Sequence, residues 1–324
     1  MRVSAAWITG VAGVVVIAAL ASVPAWGDLG MLHSLIELLY LIALAQTWNL
    51  LAGYAGLVSV GQQAYVGIGA YALIYMANTL GINPFVSLLL AGIVAAILSI
   101  PTAALVFRLR AGYFAIGTWV VAEAFRLLVV NTRQLGGGSG VTLTGIGLSR
   151  GERVTYTYWV ALAVTVLTVA MIYVILRSNL GLALKAIRDS EQAAAGLGVR
   201  IFRTKFLIYL VVAFAAGLTG ALIYLDLLRV QPEAAFSVSW STFMIFIVMI
   251  GGLGTIEGPI IGALLFFALE QVLADYGAWY LVVLGLMAIA IMLFAPEGIW
   301  GVIARRTGLQ LFPVRRHLTA GMGG

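Results

Sequence analysis

The chain of 324 residues contains no cysteine, which excludes disulfides, iron–sulfur clusters and thiolate metal sites. Its two histidines, His33 and His317, lie far apart and by themselves make no metal site. Charge is scarce as well. Only 9% of residues are charged, against roughly 25% in a soluble domain, so a soluble fold is excluded. There is no Gly-x-x-x-x-Gly-Lys-(Ser/Thr) phosphate loop, so the chain supplies no ATP site of that kind. No paired Asp–Asp, His–Glu–His or Ser–Lys arrangement supports an intramembrane enzyme.

Apolar residues make up what is present. They account for 63% of the chain, and the mean hydropathy is +1.09. Backbone groups in lipid must pair internally, so only helices or closed barrels can span. The long continuous apolar runs fit helices, each needing about 20 residues to cross the hydrocarbon core. The charge-free runs predict ten spans, at roughly 7–26, 35–52, 57–78, 84–107, 112–131, 157–176, 206–225, 237–253, 258–274 and 279–296. The first follows Arg2 and resembles a signal peptide, but its charge-free stretch is long enough to be a retained helix. From Leu38 to Phe107 there is no charge in 70 residues. Breaks fall at the Gly53–Gly56 cluster and between Asn78 and Pro84. The whole chain, 1–324, reads as a single membrane domain.

The net charge of +6 is concentrated in short loops, the pattern of cytoplasmic loops and not of nucleic-acid binding. The basic segments are Arg108–Arg110, the loop 177–205 and the tail 297–324. An even number of spans separates each pair, which places both termini in the cytoplasm. The loop 132–155, with three arginines and one glutamate, is the exception on the outer side. Tryptophans and tyrosines at segment ends (Trp7, Trp26, Tyr158, Trp159, Trp279, Trp300) read as interfacial anchors.

Several residues are candidates for function. Gln46, Asn49, Ser59, Gln62 and Gln63 are uncharged polar groups in the charge-free region. They could offer hydrogen bonds to a zwitterion, or only bind neighbouring helices at roughly 0.6 kcal/mol per bond. Glu123 lies mid-span, where a carboxylate costs about 2.5–3.5 kcal/mol, with Arg126 three residues on. The pair lines a pathway or is an internal ion pair that pins helix packing. The segment Gly56-Leu57-Val58-Ser59-Val60-Gly61 is echoed by Gly252-Leu253-Gly254-Thr255-Ile256-Glu257-Gly258. Paired glycine-broken segments mark substrate regions in transporters, although small residues also serve close packing. In the loop 177–205, residues 182–195 predict a short surface helix ended by Gly196 and Gly198. Leu182, Ala186, Asp189 and Ala193 share one side, whereas Leu184, Ile187, Arg188 and Glu191 lie largely on others. Such a helix suits docking of another protein, or a solvated connector that touches anionic lipid.

Four motifs in order carry a family resemblance: Asn49 through Tyr71, Gly112 through Thr118 followed by Glu123, Leu182 through Gly198 with Lys205, and Gly251 through Ala263 with Pro296-Glu297-Gly298. Together they resemble the branched-chain amino acid permease family of ABC importers, its LivM-like members, over nearly the whole chain beyond the first span. Gln62-Gln63 and Ser139-Gly140-Val141 depart from the residues common in that family. The resemblance implies an all-α permease of the bacterial inner membrane for branched-chain or other hydrophobic amino acids. It implies a second homologous permease subunit, two cytoplasmic ATPase subunits that hydrolyse ATP with Mg, and an extracytoplasmic substrate-binding protein. The chain itself then binds no cofactor. Lys185, Arg188, Asp189, Glu191, Gly196 and Gly198 become the candidate contacts with the ATPase. Urea or short amides are alternative substrates within the class. An ion-coupled secondary transporter acting alone is the alternative of another class.

Overall fold

The computed structural model describes residues 13–110, 112–144, 147–273, 277, 279–308 and 311–312. A short apolar helix, Gly13–Ala25 (α1), precedes α2 (Leu29–Asn49), α3 (Gln63–Asn78), α4 (Pro84–Val106) and α5 (Gly112–Val130). A two-residue strand β1 (Val141–Thr142) leads to α6 (Arg150–Arg177), α7 (Asn179–Asp189), α8 (Glu191–Gly196) and α9 (Ile201–Leu227). The strand β2 (Arg229–Val230), α10 (Pro232–Ala235), α11 (Val238–Gly251), α12 (Glu257–Leu273), α13 (Trp279–Phe294) and α14 (Gly298–Thr307) complete the described chain.

Seven helical stretches among the described residues are long and apolar enough to cross a membrane. They match seven of the ten expected spans, and the other three are 7–26, 57–78 and 258–274. Part of 7–26 lies outside the described residues, and α3 and α12 are short, at 16 and 17 residues. Both are short because the backbone before them stays irregular. Residues 56–62 form no helix, and Gly56 has φ +69°. Residues 252–256 form none either, with Gly252 and Gly254 at φ +137° and +76°. Irregular backbone at membrane depth survives only when buried in protein, and Leu57, Ser59, Gln62 and Ile256 in these segments are buried.

Other boundaries move for local reasons. α2 starts at Leu29 because the Asp28 side chain accepts the Met31 N–H at 2.8 Å; His33 is thus inside the helix and not in a loop. α6 starts at Arg150 because Ser149 and Glu152 form a reciprocal capping box. α2 and the central α9 are apolar around their circumference, which suits burial on all sides. Membrane helices gain no hydrophobic force against lipid, so packing rests on small residues that let backbones approach. A methyl group on Gly69 of α3 would lie 1.9 Å from the Gly217 carbonyl of α9, and one on Gly220 of α9 would lie 2.2 Å from the Val66 carbonyl of α3. At one end, β1 and β2 pair antiparallel, Val141 with Val230, and Asn78 accepts the Thr144 N–H at 2.9 Å. Two expected anchors are packed instead. Tyr158 is fully buried, its hydroxyl donating to the Leu20 carbonyl at 2.7 Å, and Trp300 is 7% exposed. Trp26, Trp159 and Trp279 are exposed, and Trp7 lies outside the described residues.

The packing predicts opposite outcomes for two glycines. Gly69→Ala should lower the thermal midpoint in detergent, since overpacking costs about 1–3 kcal/mol. Gly151→Ala meets nothing within 4 Å and should leave the midpoint unchanged or raise it, by about 0.5 kcal/mol of helix propensity. A Gly69→Ala midpoint equal to wild type would contradict the α3–α9 contact.

Candidate functional site

All four motifs converge on the broken end of α2. Helix α2 passes at Leu50–Tyr54 into one π-type turn, and the Leu57 N–H closes it onto the Leu51 carbonyl at 2.9 Å. Gly53 in that turn faces Gly254, 201 positions later. A methyl group on Gly53 would lie 2.7 Å from the Gly254 nitrogen and 2.3 Å from the Asn49 Oδ1. Asn49 holds the junction from the side: its Oδ1 accepts the Gly254 N–H at 2.8 Å and its Nδ2 donates to the Thr255 carbonyl at 2.7 Å. One turn up, Gln46 Nε2 donates to the Ile256 carbonyl at 2.6 Å. Thr255 Oγ1 in turn donates to the Gly252 carbonyl and accepts the Gly258 N–H. Gly298, at φ +71°, closes against Gly252, where a methyl group would lie 2.4 Å from its Cα. The second motif joins through Thr118 of α5, whose Oγ1 accepts the Val60 N–H at 3.2 Å.

The five uncharged candidates therefore part company. Gln46 and Asn49 are brought together on the 254–256 backbone. Gln63 Oε1 accepts the Ser241 hydroxyl of α11. Ser59 Oγ accepts the Gly61 N–H at 3.2 Å, and its carbonyl accepts the Trp48 indole N–H at 2.8 Å. Gln62 is fully buried, and neither its Oε1 nor its Nε2 meets a hydrogen-bond partner. Glu123 stands apart from them all. It pairs with Arg126 on the same helix, at 2.5 Å, with 47% of the Glu123 side chain and 23% of the Arg126 side chain exposed. Glu123 is on the exposed side of α5, whereas Arg126, one turn after Ala122, is only partly exposed and lies at the edge of the buried stripe that Thr118 and Ala122 mark. The exposed side also carries Ile116, Trp119, Val120 and Leu127.

The 177–205 segment holds two short helices, α7 and α8, and not one. Ser190 is extended at φ −162°, ψ 114°, and its hydroxyl accepts the Ala193 N–H to start α8; a serine there competes with helix continuation. The expected mixed face resolves into an amphipathic one in α7, with Gly181, Leu184 and Ile187 buried. Lys185 is half-buried and Asp189 exposed. Arg188 turns inward, its Nη1 donating to the Gly53 carbonyl at 2.8 Å. Glu191 pairs with Lys205 of α9. α8 ends at Gly196, and Gly198 adopts φ +81°. Leu182 and Leu197, neither of them named as a candidate contact in the sequence, are 50% and 81% exposed on this segment. Their signal was an apolar residue on the polar side of a short helix.

At the opposite end lies a second polar group. His33 Nδ1 is 3.1 Å from Asp226 Oδ1, the Tyr40 hydroxyl donates to Glu37 at 3.1 Å, and Arg153 donates to the Asp226 carbonyl at 3.2 Å. Glu37, Asp226 and Glu270 were passed over in the sequence, yet Asp226 and Glu270 sit in the last turns of their helices and Glu37 about 12 Å into α2. Glu123 remains the mid-span acid. Near this end, an apolar cavity of about 390 Å³ opens between α3, α4 and α5, lined by Ile68, Tyr71, Leu98, Phe125 and Leu128 among others. It holds none of the candidate residues.

Spanning apolar helices broken by buried, glycine-rich segments define a multi-pass membrane protein of the transporter class. The model of the family described as the permease component of branched-chain amino acid transport systems matches residues 29–293, and the chain belongs to that family. It is 30% identical over 278 residues to the high-affinity branched-chain amino acid transport system permease protein LivM of Salmonella typhimurium, covering 78% of this chain and 65% of that one. The chain thus spans somewhat less than two thirds of that relative's length. It is 24% identical over 275 residues to the probable branched-chain amino acid transport permease LivM of Methanocaldococcus jannaschii, covering 74% and 79%. It is 28% identical over 167 residues to the ribose import permease RbsC of Bacillus subtilis, covering 48% and 52%. No solved structure matches. The family and the seven apolar spans place the chain in the cytoplasmic membrane.

The hydrogen-bond ledger separates Asn49 from Gln62. Asn49→Leu should destabilise by about 3 kcal/mol, because it orphans the Gly254 N–H and the Thr255 carbonyl. Gln62→Met should leave stability unchanged or raise it, since it removes an amide with no partner. Thermal unfolding of the two variants in detergent checks this, and equal losses would show that the Gln62 amide is satisfied.

Proposed function

We propose that the chain is the membrane-spanning permease subunit of an ATP-driven importer for branched-chain or other hydrophobic amino acids. Family membership and the printed function of the LivM relatives support the substrate class. The observation that carries the coupling role is the α7–α8 segment: it is fastened inward to the broken end of α2 and presents Leu182 and Leu197 outward. Exposed leucines on a segment that also carries Lys185, Asp189, Glu191, Gly196 and Gly198 suit a protein partner better than water alone. That partner is a cytoplasmic ATPase subunit, two of which serve the transporter. They hydrolyse ATP with Mg and supply the power that this chain does not.

In this reading the chain crosses ten times with both termini cytoplasmic. Helices α3 and α12 rise about 24 and 26 Å, and the buried segments 55–62 and 252–256 complete their crossings of a core about 30 Å thick. The broken ends, α7 and the basic end of α14 with Arg305 and Arg306 then share the cytoplasmic side. A second homologous permease subunit covers α5, which removes the Glu123–Arg126 pair and its apolar neighbours from lipid. Alternating access runs between the two subunits, and Gln62, with its uncommitted amide, is the polar group best placed to change partners as helices shift. An extracytoplasmic binding protein delivers the substrate to the end that carries β1, β2 and α10.

Reconstitution tests this directly. Proteoliposomes with this chain, a second permease, the ATPases and the binding protein should take up leucine, isoleucine or valine only with ATP inside the ATPase compartment. Uptake by this chain without ATPases would sink the reading in favour of an ion-coupled transporter.

A further inference from the structure

Arg188 was grouped above with the candidate contacts of an ATPase, but although 41% of its side chain is exposed, its guanidinium is anchored on the inner side. Its Nη1 donates to the Gly53 carbonyl at 2.8 Å, in the π-type turn where α2 ends. That carbonyl lies at a helix C-terminus, where a cation is favoured by the helix dipole. The Arg188 stem packs on Gly56, where a methyl group would meet its Cγ at 3.4 Å and its Cα at 3.5 Å. Gly56, at φ +69°, accepts this approach without a side chain. On the far side, a methyl group on Gly254 would lie 3.4 Å from the Arg188 Nη1 and 3.2 Å from the Gly53 carbonyl oxygen. Asp189 Oδ1 accepts from both Nε and Nη2 of Arg188 at 3.3 Å and holds the fork in register. One side chain on α7 therefore bonds the broken end of α2 and lies beside Gly254 where the two segments meet.

Beyond that point the contacts continue inward through side chains already described. Asn49 bonds Gly254 and Thr255, and Gln46 bonds Ile256. A displacement of α7 along the membrane must either stretch the Arg188–Gly53 bond or carry the α2 turn with it. Because Gly53 and Gly254 are in contact, moving one turn moves the other. Leu184 and Ile187 of α7 bear on the bundle through apolar packing, which lets a helix slide. The charge-assisted bond to Gly53 is directional and does not.

We infer that Arg188 is a positioning residue that transmits movement of the α7–α8 segment to the two broken helices, and not a contact with the ATPase itself. The inference rests on the importer reading above. It differs from that reading in assigning Arg188 to the inner side of the coupling segment, with Leu182 and Leu197 as the outer side.

The test uses the complete transporter in proteoliposomes, with Arg188→Ala, Arg188→Lys and Arg188→Gln in this chain. Three quantities are read: recovery of the ATPase subunits with the purified complex, the ratio of ATPase rate with and without leucine-loaded binding protein, and uptake of tritiated leucine. Arg188→Ala should recover the ATPases in full, yet its stimulation ratio should fall towards one and its uptake should drop by about tenfold. Arg188→Lys, which keeps the charge and a donor, should restore a large part of the ratio, and Arg188→Gln should restore less. If Arg188→Ala does not accumulate, the Lys and Gln variants decide, with equal ratios overturning the inference. A wild-type ratio and uptake in Arg188→Ala would overturn it, as would loss of the ATPase subunits, which would make Arg188 an outward docking contact. Absence of ATP-dependent uptake in the wild-type complex would instead defeat the importer reading, so the two failures are distinguishable.

Discussion

A methyl group on Gly53 would stand 2.7 Å from the Gly254 nitrogen, and the surrounding architecture depends on that group being absent. The close approach brings the broken end of α2 against the 252–256 segment, whose backbone the Gln46 and Asn49 side chains satisfy. Asn49 supplies two of these bonds, accepting one N–H and donating to one carbonyl. Without it, the Gly254 N–H and the Thr255 carbonyl would lack these partners and the break between α11 and α12 would be costly. The Gly252–Gly298 contact and the Thr118–Val60 bond attach α14 and α5 to the same point. Motifs that lie more than two hundred positions apart are thereby one structure.

The same junction shows how a membrane protein spends its few polar groups. Gln46, Asn49, Ser59 and Gln63 hold backbone or helix contacts in this conformation. Gln62 holds none, and a fully buried amide with no partner is expensive. Charge is handled differently. Glu123 neutralises itself against Arg126 within one helix and stays at the surface, so its placement speaks for a neighbouring subunit more than for an internal path.

Much of this was legible in the sequence, for stated reasons. α13 follows one uninterrupted apolar run and lies where that run predicts, and α5 likewise between Arg110 and Asn131. α3 was extended too far because Leu57, Val58 and Val60 are as apolar as a helix; hydropathy does not distinguish a buried irregular segment from a span. The early start of α6 was written in Ser149 and Glu152, and the break between α7 and α8 in Ser190, as capping signals outweighed by hydropathy. The echo between the 56–61 and 252–258 segments was visible, but their contact was not, since it depends on tertiary approach through Gly53, Gly254 and Arg188. Tyr158 looked like an interfacial anchor because nothing in the sequence discloses that the Leu20 carbonyl waits for its hydroxyl.

The junction is most directly tested at Gly53. Thermal midpoint and ATP-driven uptake should be measured together for Gly53→Ala in the complete transporter, with Gly30→Ala, whose added methyl meets nothing closer than 3.8 Å, as control. The account predicts that Gly53→Ala lowers the midpoint and abolishes uptake, whereas Gly30→Ala preserves both. A Gly53→Ala protein with the wild-type midpoint and wild-type uptake would contradict it.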